Sequence, residues 1–249
     1  MSISVDLNNV CYGKRVALRE VNFELPSGSF TAVLGRNGSG KSTLAGALLS
    51  LLKYGGVVAF GGRNASLLSH RERAKTVSGV LQMPRAPHIT VYELVCLGRC
   101  SRLDSFERFG DKDRVEVEKA LSAASLAGLK EAYLDEISGG ELKRAYFAMA
   151  LAQGAEYLVL DEVTSSMDSD YESAFLTLAR ELADGGKTVV AVMHNLEAAV
   201  RYADRILLLD GGRQLFFGTT SQMLETELIE KTFNVSRETV NGRVFFASR

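Results

Sequence analysis

The chain contains 249 residues, of which 46% are hydrophobic, and its 29 Lys and Arg residues nearly balance its 30 Asp and Glu residues. A chain of this length buries enough apolar surface to stabilise a sizeable core without disulfides or a structural metal. The formal net charge of -1 argues against direct binding of DNA or RNA, because such binding relies on an excess of basic side chains.

The cysteines and the N-terminal stretch both indicate a reducing compartment. Cys11, Cys96 and Cys100 form no pairing framework. Cys96 and Cys100 have no further ligand at a zinc spacing, so we expect both to be small core residues. The stretch MSISVDLNNV lacks the features of a signal peptide and resembles part of a first strand, and no apolar run reaches the roughly 18 residues of a membrane span. We therefore expect a cytosolic chain without a membrane span of its own.

Short apolar runs alternate with helical patterns along most of the chain and predict an α/β fold. The predicted strands are 30–34, 77–81, 157–160, 188–193 and 205–209. The predicted helices are 43–52, 112–127, 140–153, 170–183 and 196–203. Most of the strands lack the polar and apolar alternation of a half-solvated sheet, which favours a mainly parallel sheet covered by helices on both faces.

Residues 84–154 interrupt this alternation, because the elements predicted there are helical. We interpret the segment as a helical insertion into an otherwise continuous α/β unit. The sequence thus predicts a single domain, in which 1–83 and 155–249 form the core and 84–154 form the insertion.

The sequence GRNGSGKS, from Gly35 to Ser42, fits the phosphate-loop pattern G-x-x-x-x-G-K-[ST]. A predicted strand leads into it and a helical pattern follows, as phosphate binding at a helix N-terminus requires. Lys41 is expected to reach the β and γ phosphates, and the Ser42 hydroxyl to bind Mg²⁺. The candidate nucleotide-binding residues here are Gly35, Asn37, Gly38, Ser39, Gly40, Lys41, Ser42 and Thr43.

Two acids follow the apolar run 157–160, where open α/β sheets place their ligands. Asp161 is expected to hold Mg²⁺, and Glu162 to orient or deprotonate an attacking water molecule. Capping of a following helix is the alternative role for this pair. Kinases, GTPases and motor ATPases share both elements, so these residues alone leave the reaction open.

The motif Ser138-Gly139-Gly140-Glu141, preceded by Ile137, resembles the signature motif of ATP-binding cassette (ABC) proteins. The resemblance implies a P-loop NTPase fold with a mainly parallel core sheet, an N-terminal antiparallel β subdomain and an inserted helical subdomain. It also implies that the donors of this motif bind the ATP of a second copy of the chain, in a dimer that encloses two ATP molecules.

Other positions match the family in the same order. The resemblance assigns adenine stacking to Tyr12, with Val16 beside it, and contact with Mg²⁺ and water to Gln82. It assigns a contact across the dimer interface to Asp168 and a contact with the γ-phosphate to His194, so that Glu162, His194 and Lys41 form the expected catalytic set.

Two departures from the usual family sequence bear on turnover. Glu141 replaces a glutamine and brings a negative charge near a polyphosphate, whereas Val163 replaces the proline that usually follows the catalytic glutamate.

The stretch 88–95 resembles importers of iron-siderophore, haem and cobalamin chelates. The resemblance implies an ATPase subunit at the cytoplasmic face of the plasma membrane, with separate transmembrane permease subunits and a substrate-binding protein as partners. A soluble cassette ATPase of the iron-sulfur assembly type is the alternative within the family, and a small-molecule kinase is the alternative outside it.

Overall fold

The computed structural model describes residues 2–81, 86–103, 108–163 and 169–248. Its strands are β1 (Ile3–Tyr12), β2 (Arg15–Leu25), β3 (Phe30–Gly35), β4 (Tyr54–Phe60), β5 (Arg63–Asn64), β6 (Val77–Val80), β7 (Tyr157–Asp161), β8 (Thr188–Val192), β9 (Arg205–Asp210), β10 (Arg213–Thr219), β11 (Val235–Val240) and β12 (Arg243–Ser248). Its helices are α1 (Lys41–Leu48), α2 (His70–Thr76), α3 (Val91–Leu97), α4 (Asp111–Ala123), α5 (Gly139–Ala152), α6 (Ser169–Asp184), α7 (Leu196–Tyr202), α8 (Thr220–Leu224) and α9 (Leu228–Phe233).

The central sheet has the strand order β10-β9-β3-β8-β7-β6 among the described residues. Its strands run parallel except β10, which returns antiparallel to β9. Parallel pairing brings the carboxyl ends of β3, β7 and β8 to one edge, where Val33 and Asp161 both lie opposite Val192. The loops that leave this edge therefore carry the candidate site.

The strand β3 is buried along its whole length because both faces of the sheet are covered. On one face, Val33 packs in a cluster with Leu44 and Leu48 of α1. On the other face, Leu34 packs in a cluster with Leu176 of α6. This two-sided burial explains why the central strands read as continuous apolar runs, and it confirms the α/β fold with a mainly parallel core sheet.

Two further units complete the fold. A four-stranded antiparallel sheet of order β2-β1-β4-β5 packs against α1, as expected for an N-terminal antiparallel subdomain. Helices α3, α4 and α5 share a separate apolar cluster, which includes Leu94, Val117 and Ala148. Within the described part of the chain, no helix is both long and apolar enough to cross a membrane.

Several details differ from the sequence-based expectations, among them the following. The first helix begins at Lys41 rather than at residue 43, directly after Gly40 in its left-handed conformation, and it ends at Leu48 rather than at residue 52. Cys100 is exposed, so the expectation that it is a core residue was wrong: α3 ends at Leu97 and leaves Cys100 in the turn that follows. The C-terminal hairpin of β11 and β12 was not predicted.

Candidate active site

The loop from Gly35 to Ser42 joins the end of β3 to the start of α1. Lys41 Nζ donates hydrogen bonds to the carbonyl oxygens of Gly35, at 2.8 Å, and Arg36, at 3.1 Å, so its ammonium group folds back over the loop. A Cβ atom at Gly35 would lie 2.3 Å from the carbonyl oxygen of Leu209, so only glycine fits there.

The start of α1 presents unsatisfied donors. Gly40, at its N-cap, has a φ of 101°, and no side chain of the described residues caps this helix end. The Ser39 hydroxyl is buried inside the loop without a hydrogen-bond partner in the described part of the chain. Free N–H groups, a helix N-terminus and a nearby lysine are the donors that a phosphate group requires, so the loop fits a polyphosphate.

Asp161 lies at the end of β7 and is almost fully buried. Its Oδ1 atom accepts a hydrogen bond from Ser42 Oγ at 3.2 Å. Burial raises the pKa of the Asp161 carboxyl and the charge of Glu162 adds to the rise, whereas the Ser42 bond and the Lys41 ammonium oppose it. A serine hydroxyl beside a carboxylate that faces a phosphate loop suits a hard divalent cation such as Mg²⁺.

Burial also acts on Lys41, whose pKa it lowers, and the carboxylates of Glu162 and Asp161 partly oppose that change. A phosphate group bound in the loop would add negative charge and favour the charged ammonium. Lys41 is therefore close enough to both acids to respond to their charge, while its ammonium group lies over the phosphate loop.

Glu162 and His194 form a direct pair. His194 Nε2 lies 2.7 Å from Glu162 Oε1, and both side chains are partly exposed. Glu162 has a φ of 53°, an uncommon left-handed conformation for a residue other than glycine. This conformation is found directly after the buried Asp161, where β7 ends and its carboxyl-terminal loop begins.

An open cavity of about 630 Å³ lies over the phosphate loop. The sequence-based candidates that line it are Tyr12, Val16, Asn37, Gly38, Gly40, Lys41, Ser42, Thr43 and Glu162. Tyr12 and Val16 are 52% and 42% exposed, so an apolar surface is available to a flat ring at the cavity wall. Gln82 and Asp168 lie outside the described residues.

Sequence reasoning missed four residues that line the same cavity, namely Arg15, Ala17, Gly211 and Gly212. The Gly211-Gly212 pair was recognisable as a tight turn between two apolar runs. Its position over the phosphate loop follows from the hydrogen bond between the Arg19 N–H and the Gly212 carbonyl, at 2.8 Å, which no local pattern reveals.

The Ser138-Gly139-Gly140 turn does not line this cavity. It forms the N-terminus of α5, where Ser138 and Glu141 cap the helix reciprocally. Ser138 Oγ donates to Glu141 Oε2 at 2.7 Å, and the Ser138 N–H donates to the same oxygen at 2.8 Å. These bonds, with a smaller contribution from Arg144, lower the pKa of Glu141. A Cβ atom at Gly139 or at Gly140 would meet no other described atom within 4 Å, so the side of each residue where a side chain would stand is open to a ligand.

Comparison with known proteins identifies a matching family. The family described as "ABC transporter" matches residues 18–165. The iron(3+)-hydroxamate import ATP-binding protein of Bacillus subtilis (strain 168) is 32% identical over 242 residues, which cover 96% of this chain and 90% of the relative. The ferric enterobactin transport ATP-binding protein of Escherichia coli (strain K12) is 35% identical over 227 residues, which cover 90% of this chain and 84% of the relative.

Solved structures show the same likeness. One, described as a metal-chelate type ABC transporter in an inward-facing conformation, has a TM-score of 0.82 and 26% identity, covering 99% of this chain and 96% of that chain. A dimeric bacterial ABC transporter cassette has a TM-score of 0.80 and 26% identity, covering 88% of this chain and 99% of that chain. The chain therefore belongs to the ABC transporter family and is an ATP-binding ATPase domain of that family.

Proposed function

We propose that this chain is the ATPase subunit of an importer for an iron chelate such as a ferric siderophore. The observation that carries the proposal is the likeness, over nine-tenths or more of the chain, to ATP-binding proteins whose names specify iron(3+)-hydroxamate import and ferric enterobactin transport. Haem and cobalamin are related chelates, and the names of these two relatives do not specify either of them.

The phosphate loop binds the nucleotide, whereas the two acids serve the metal ion and the attacking water. Lys41 and the free N–H groups at the start of α1 bind the β and γ phosphates, and Tyr12 with Val16 supports the adenine ring. Ser42 and Asp161 hold Mg²⁺, which supplies charge neutralisation at the phosphates when bound. Glu162 accepts a proton from the attacking water, and His194 holds Glu162 in position through the 2.7 Å contact.

The signature turn serves a second copy of the chain. Ser138, Gly139 and Gly140 lie outside the cavity that their own chain forms, yet they present a helix N-terminus with open space in front of it. In a head-to-tail dimer this turn faces the γ-phosphate held by the partner. Resemblance assigns Asp168 to the same interface and Gln82 to contact with Mg²⁺ and water, and the dimeric cassette with similar architecture supports a shared interface.

ATP binding then closes the dimer and hydrolysis opens it, because the γ-phosphate makes contacts with both chains and is the group that is cleaved. The closure performs transport only if it moves attached subunits. We assign that attachment to the helical insertion at 84–154, with 1–83 and 155–249 as the ATPase core. The partners are a transmembrane permease, contacted from the cytoplasmic side of the membrane, and a substrate-binding protein that delivers the chelate.

A growth assay tests the proposal. Deletion of the gene in its native host is expected to abolish growth on a ferric siderophore as the sole iron source, and the wild-type gene to restore it. Lys41→Ala is expected to fail to restore growth, whereas Arg63→Ala, which changes an exposed arginine that does not line the cavity over the phosphate loop, restores it. Normal growth and siderophore uptake in the deletion strain would contradict import of an iron chelate.

Co-purification addresses the alternative within the family. A stable complex with a membrane-spanning permease supports an importer, whereas a soluble scaffold as the stable partner would favour a cassette ATPase of the iron-sulfur assembly type. The relatives give this second function no support, because their names specify import or transport. Transfer of the γ-phosphate to a small-molecule acceptor would instead indicate a kinase.

A further inference from the structure

Helices α2 and α5 begin with the same reciprocal cap, formed by a serine at the N-cap and a glutamate three residues later. In α2, Glu72 Oε2 accepts both the hydroxyl and the N–H of Ser69. In α5, Glu141 Oε2 accepts the same two groups of Ser138. Each carboxylate thus uses one oxygen for the cap, so the two caps can be compared at the second oxygen, Oε1.

The contact between this second oxygen and an arginine is closed in the cap of α2 and open in the cap of α5. Arg63 Nη2 lies 2.8 Å from Glu72 Oε1. Arg144 Nη2 lies 3.9 Å from Glu141 Oε1, which is beyond the range of a hydrogen bond. The bonds from Ser138, rather than the charge of Arg144, are the main cause of the lowered pKa of Glu141. The ion pair in the cap of α5 is therefore about 1 Å from closing.

Arg144 is largely buried, although its contact with Glu141 is open. Its side chain is 13% exposed, whereas that of Arg63 is 63% exposed. Its Nε atom is buried and has no hydrogen-bond partner among the residues that the structure describes. Its Cζ atom lies 4.6 Å from the ring centroid of Tyr171, at the start of α6, and this stack holds the guanidinium group in place. A charge so far removed from water is stabilised when a carboxylate pairs with it.

ATP bound by a second copy of the chain changes the balance at this cap. The Ser138 hydroxyl can donate to the partner's γ-phosphate only if it leaves Glu141 Oε2. The carboxylate then stands beside a group of the same charge, which repels it. Arg144 lies one turn further along the same helix, where residues three apart are neighbours. Pairing with this arginine neutralises the displaced carboxylate.

We propose that Arg144 is a positioning residue, which takes over the Glu141 carboxylate when the Ser138 hydroxyl turns to the partner's γ-phosphate. The exchange replaces one hydrogen bond by another and closes one ion pair, without any covalent step. Arg144 thereby offsets the negative charge that Glu141 brings to a polyphosphate site, at a position where glutamine is usual in the family. The proposal rests on the proposed function, because it requires a signature turn that contacts the ATP of a second copy.

A double-mutant cycle on ATP hydrolysis tests the exchange. Arg144→Met removes the charge but keeps an unbranched side chain that packs on the ring of Tyr171. In the wild-type background, this change is expected to raise the half-maximal ATP concentration about tenfold, because the Glu141 carboxylate is then not neutralised. In the Glu141→Gln background, the same change is expected to have less than about a threefold effect. Equal losses in both backgrounds would overturn the proposal, because Arg144 would then act on the fold or directly on the phosphate.

The cap of α2 supplies the matched control. Neither Arg63 nor Glu72 lines the cavity over the phosphate loop. Arg63→Met, Glu72→Gln and the double variant are therefore expected to leave the half-maximal ATP concentration within about twofold of the wild-type value. A coupling in this cycle as large as that at α5 would contradict a specific role for Arg144.

A crystal structure of the Glu162→Gln chain with Mg²⁺ and ATP tests the geometry without relying on hydrolysis. An oxygen atom of Glu141 is expected within about 3 Å of an Arg144 guanidinium nitrogen, with the Ser138 hydroxyl on the partner's phosphate. A dimer in which Ser138 contacts the phosphate but Arg144 remains apart from Glu141 would overturn the role of Arg144 and leave the shared site standing. A signature turn far from any ATP would refute the shared site, and the role of Arg144 with it.

Discussion

His194 Nε2 lies 2.7 Å from Glu162 Oε1, although the two residues are 32 positions apart in the sequence. The contact forms because β7 and β8 are parallel neighbours, so that their carboxyl-terminal loops leave the sheet side by side. Glu162, in its left-handed conformation, directs its carboxylate to the histidine and to the cavity over the phosphate loop. The position of the proposed base thus depends on a side chain from the next strand.

Replacement of this histidine is the first prediction. His194→Ala is expected to lower kcat about 100-fold, because general-base catalysis requires a fixed carboxylate, and to change ATP affinity by less than about threefold. Steady-state hydrolysis and equilibrium nucleotide binding measure the two effects. His88→Ala is the matched control, since His88 pairs with Asp135 on the surface. An unchanged kcat in His194→Ala would remove the histidine from the mechanism.

The second prediction concerns Glu141. Its carboxylate accepts the Ser138 hydroxyl at 2.7 Å, and this bond must break before the hydroxyl can donate to a partner's γ-phosphate. Glu141→Gln keeps the helix cap but removes one negative charge beside the phosphate. We expect the ATP concentration for half-maximal hydrolysis to fall about threefold to tenfold.

The capping box of α2 offers a matched control for that change, because Glu72 caps Ser69 with the same pattern of bonds. Glu72→Gln is expected to leave ATP hydrolysis unchanged. An equal change in the half-maximal ATP concentration of the two variants, or a rise of this concentration in Glu141→Gln, would show that the carboxylate does not compete with the phosphate for Ser138.

The third prediction concerns cation binding at Asp161. In the presence of ATP, Mg²⁺ is expected to raise the Tm of the wild-type chain, and Asp161→Asn to lose this increment while ATP alone still stabilises it. Thermal unfolding with and without Mg²⁺ measures both. An undiminished Mg²⁺ increment in the variant would exclude Asp161 from the cation site.

The rise in Tm that Mg²⁺ causes is expected to depend on pH, because burial raises the pKa of Asp161 above its ordinary value of 3.8. As the pH falls through the raised pKa, protonation removes the anionic ligand, so the Mg²⁺ increment disappears at a higher pH than an exposed aspartate would allow. Without the cation, a raised pKa means that the folded chain holds this proton more tightly. The stability that Asp161 contributes is then present below pH 3.8 and is lost as the pH rises through the raised pKa.

The fourth prediction uses two inactive chains. Lys41→Ala is expected to lose ATP binding, and Ser138→Arg to bind ATP but not to hydrolyse it. A mixed dimer contains one site with both defects and one site with neither, because each site takes its loop from one chain and its signature turn from the other. An equal mixture should therefore recover about a quarter of the wild-type rate. An inactive mixture would contradict shared sites.

Local sequence patterns were sufficient for the parts of the fold that are set by neighbouring residues. The phosphate loop is defined by its own glycines, and the buried strand before Asp161 is recognisable from its continuous apolar run. The cap of α5 is also local, because Ser138 and Glu141 are three residues apart.

Other features depend on contacts between distant segments. Gly212 reaches the cavity only through its backbone bond to Arg19, and the C-terminal hairpin is held against α7 by a hydrogen bond from β12. The hydrogen bond from the Ser138 hydroxyl to Glu141 became apparent only in the structure, although both residues were recognised in the sequence. Cys100 was misplaced because the end of α3 was not recognised.

The central claim is that two copies of the chain complete each other's ATP sites. Glu162→Gln should retain ATP but hydrolyse it too slowly to release the partner, so sedimentation velocity with Mg²⁺ and ATP is expected to show a dimer, and with ADP a monomer. Adding Ser138→Arg to this variant should restore the monomer under both conditions. A Glu162→Gln chain that binds ATP and remains monomeric at saturating nucleotide would contradict the claim.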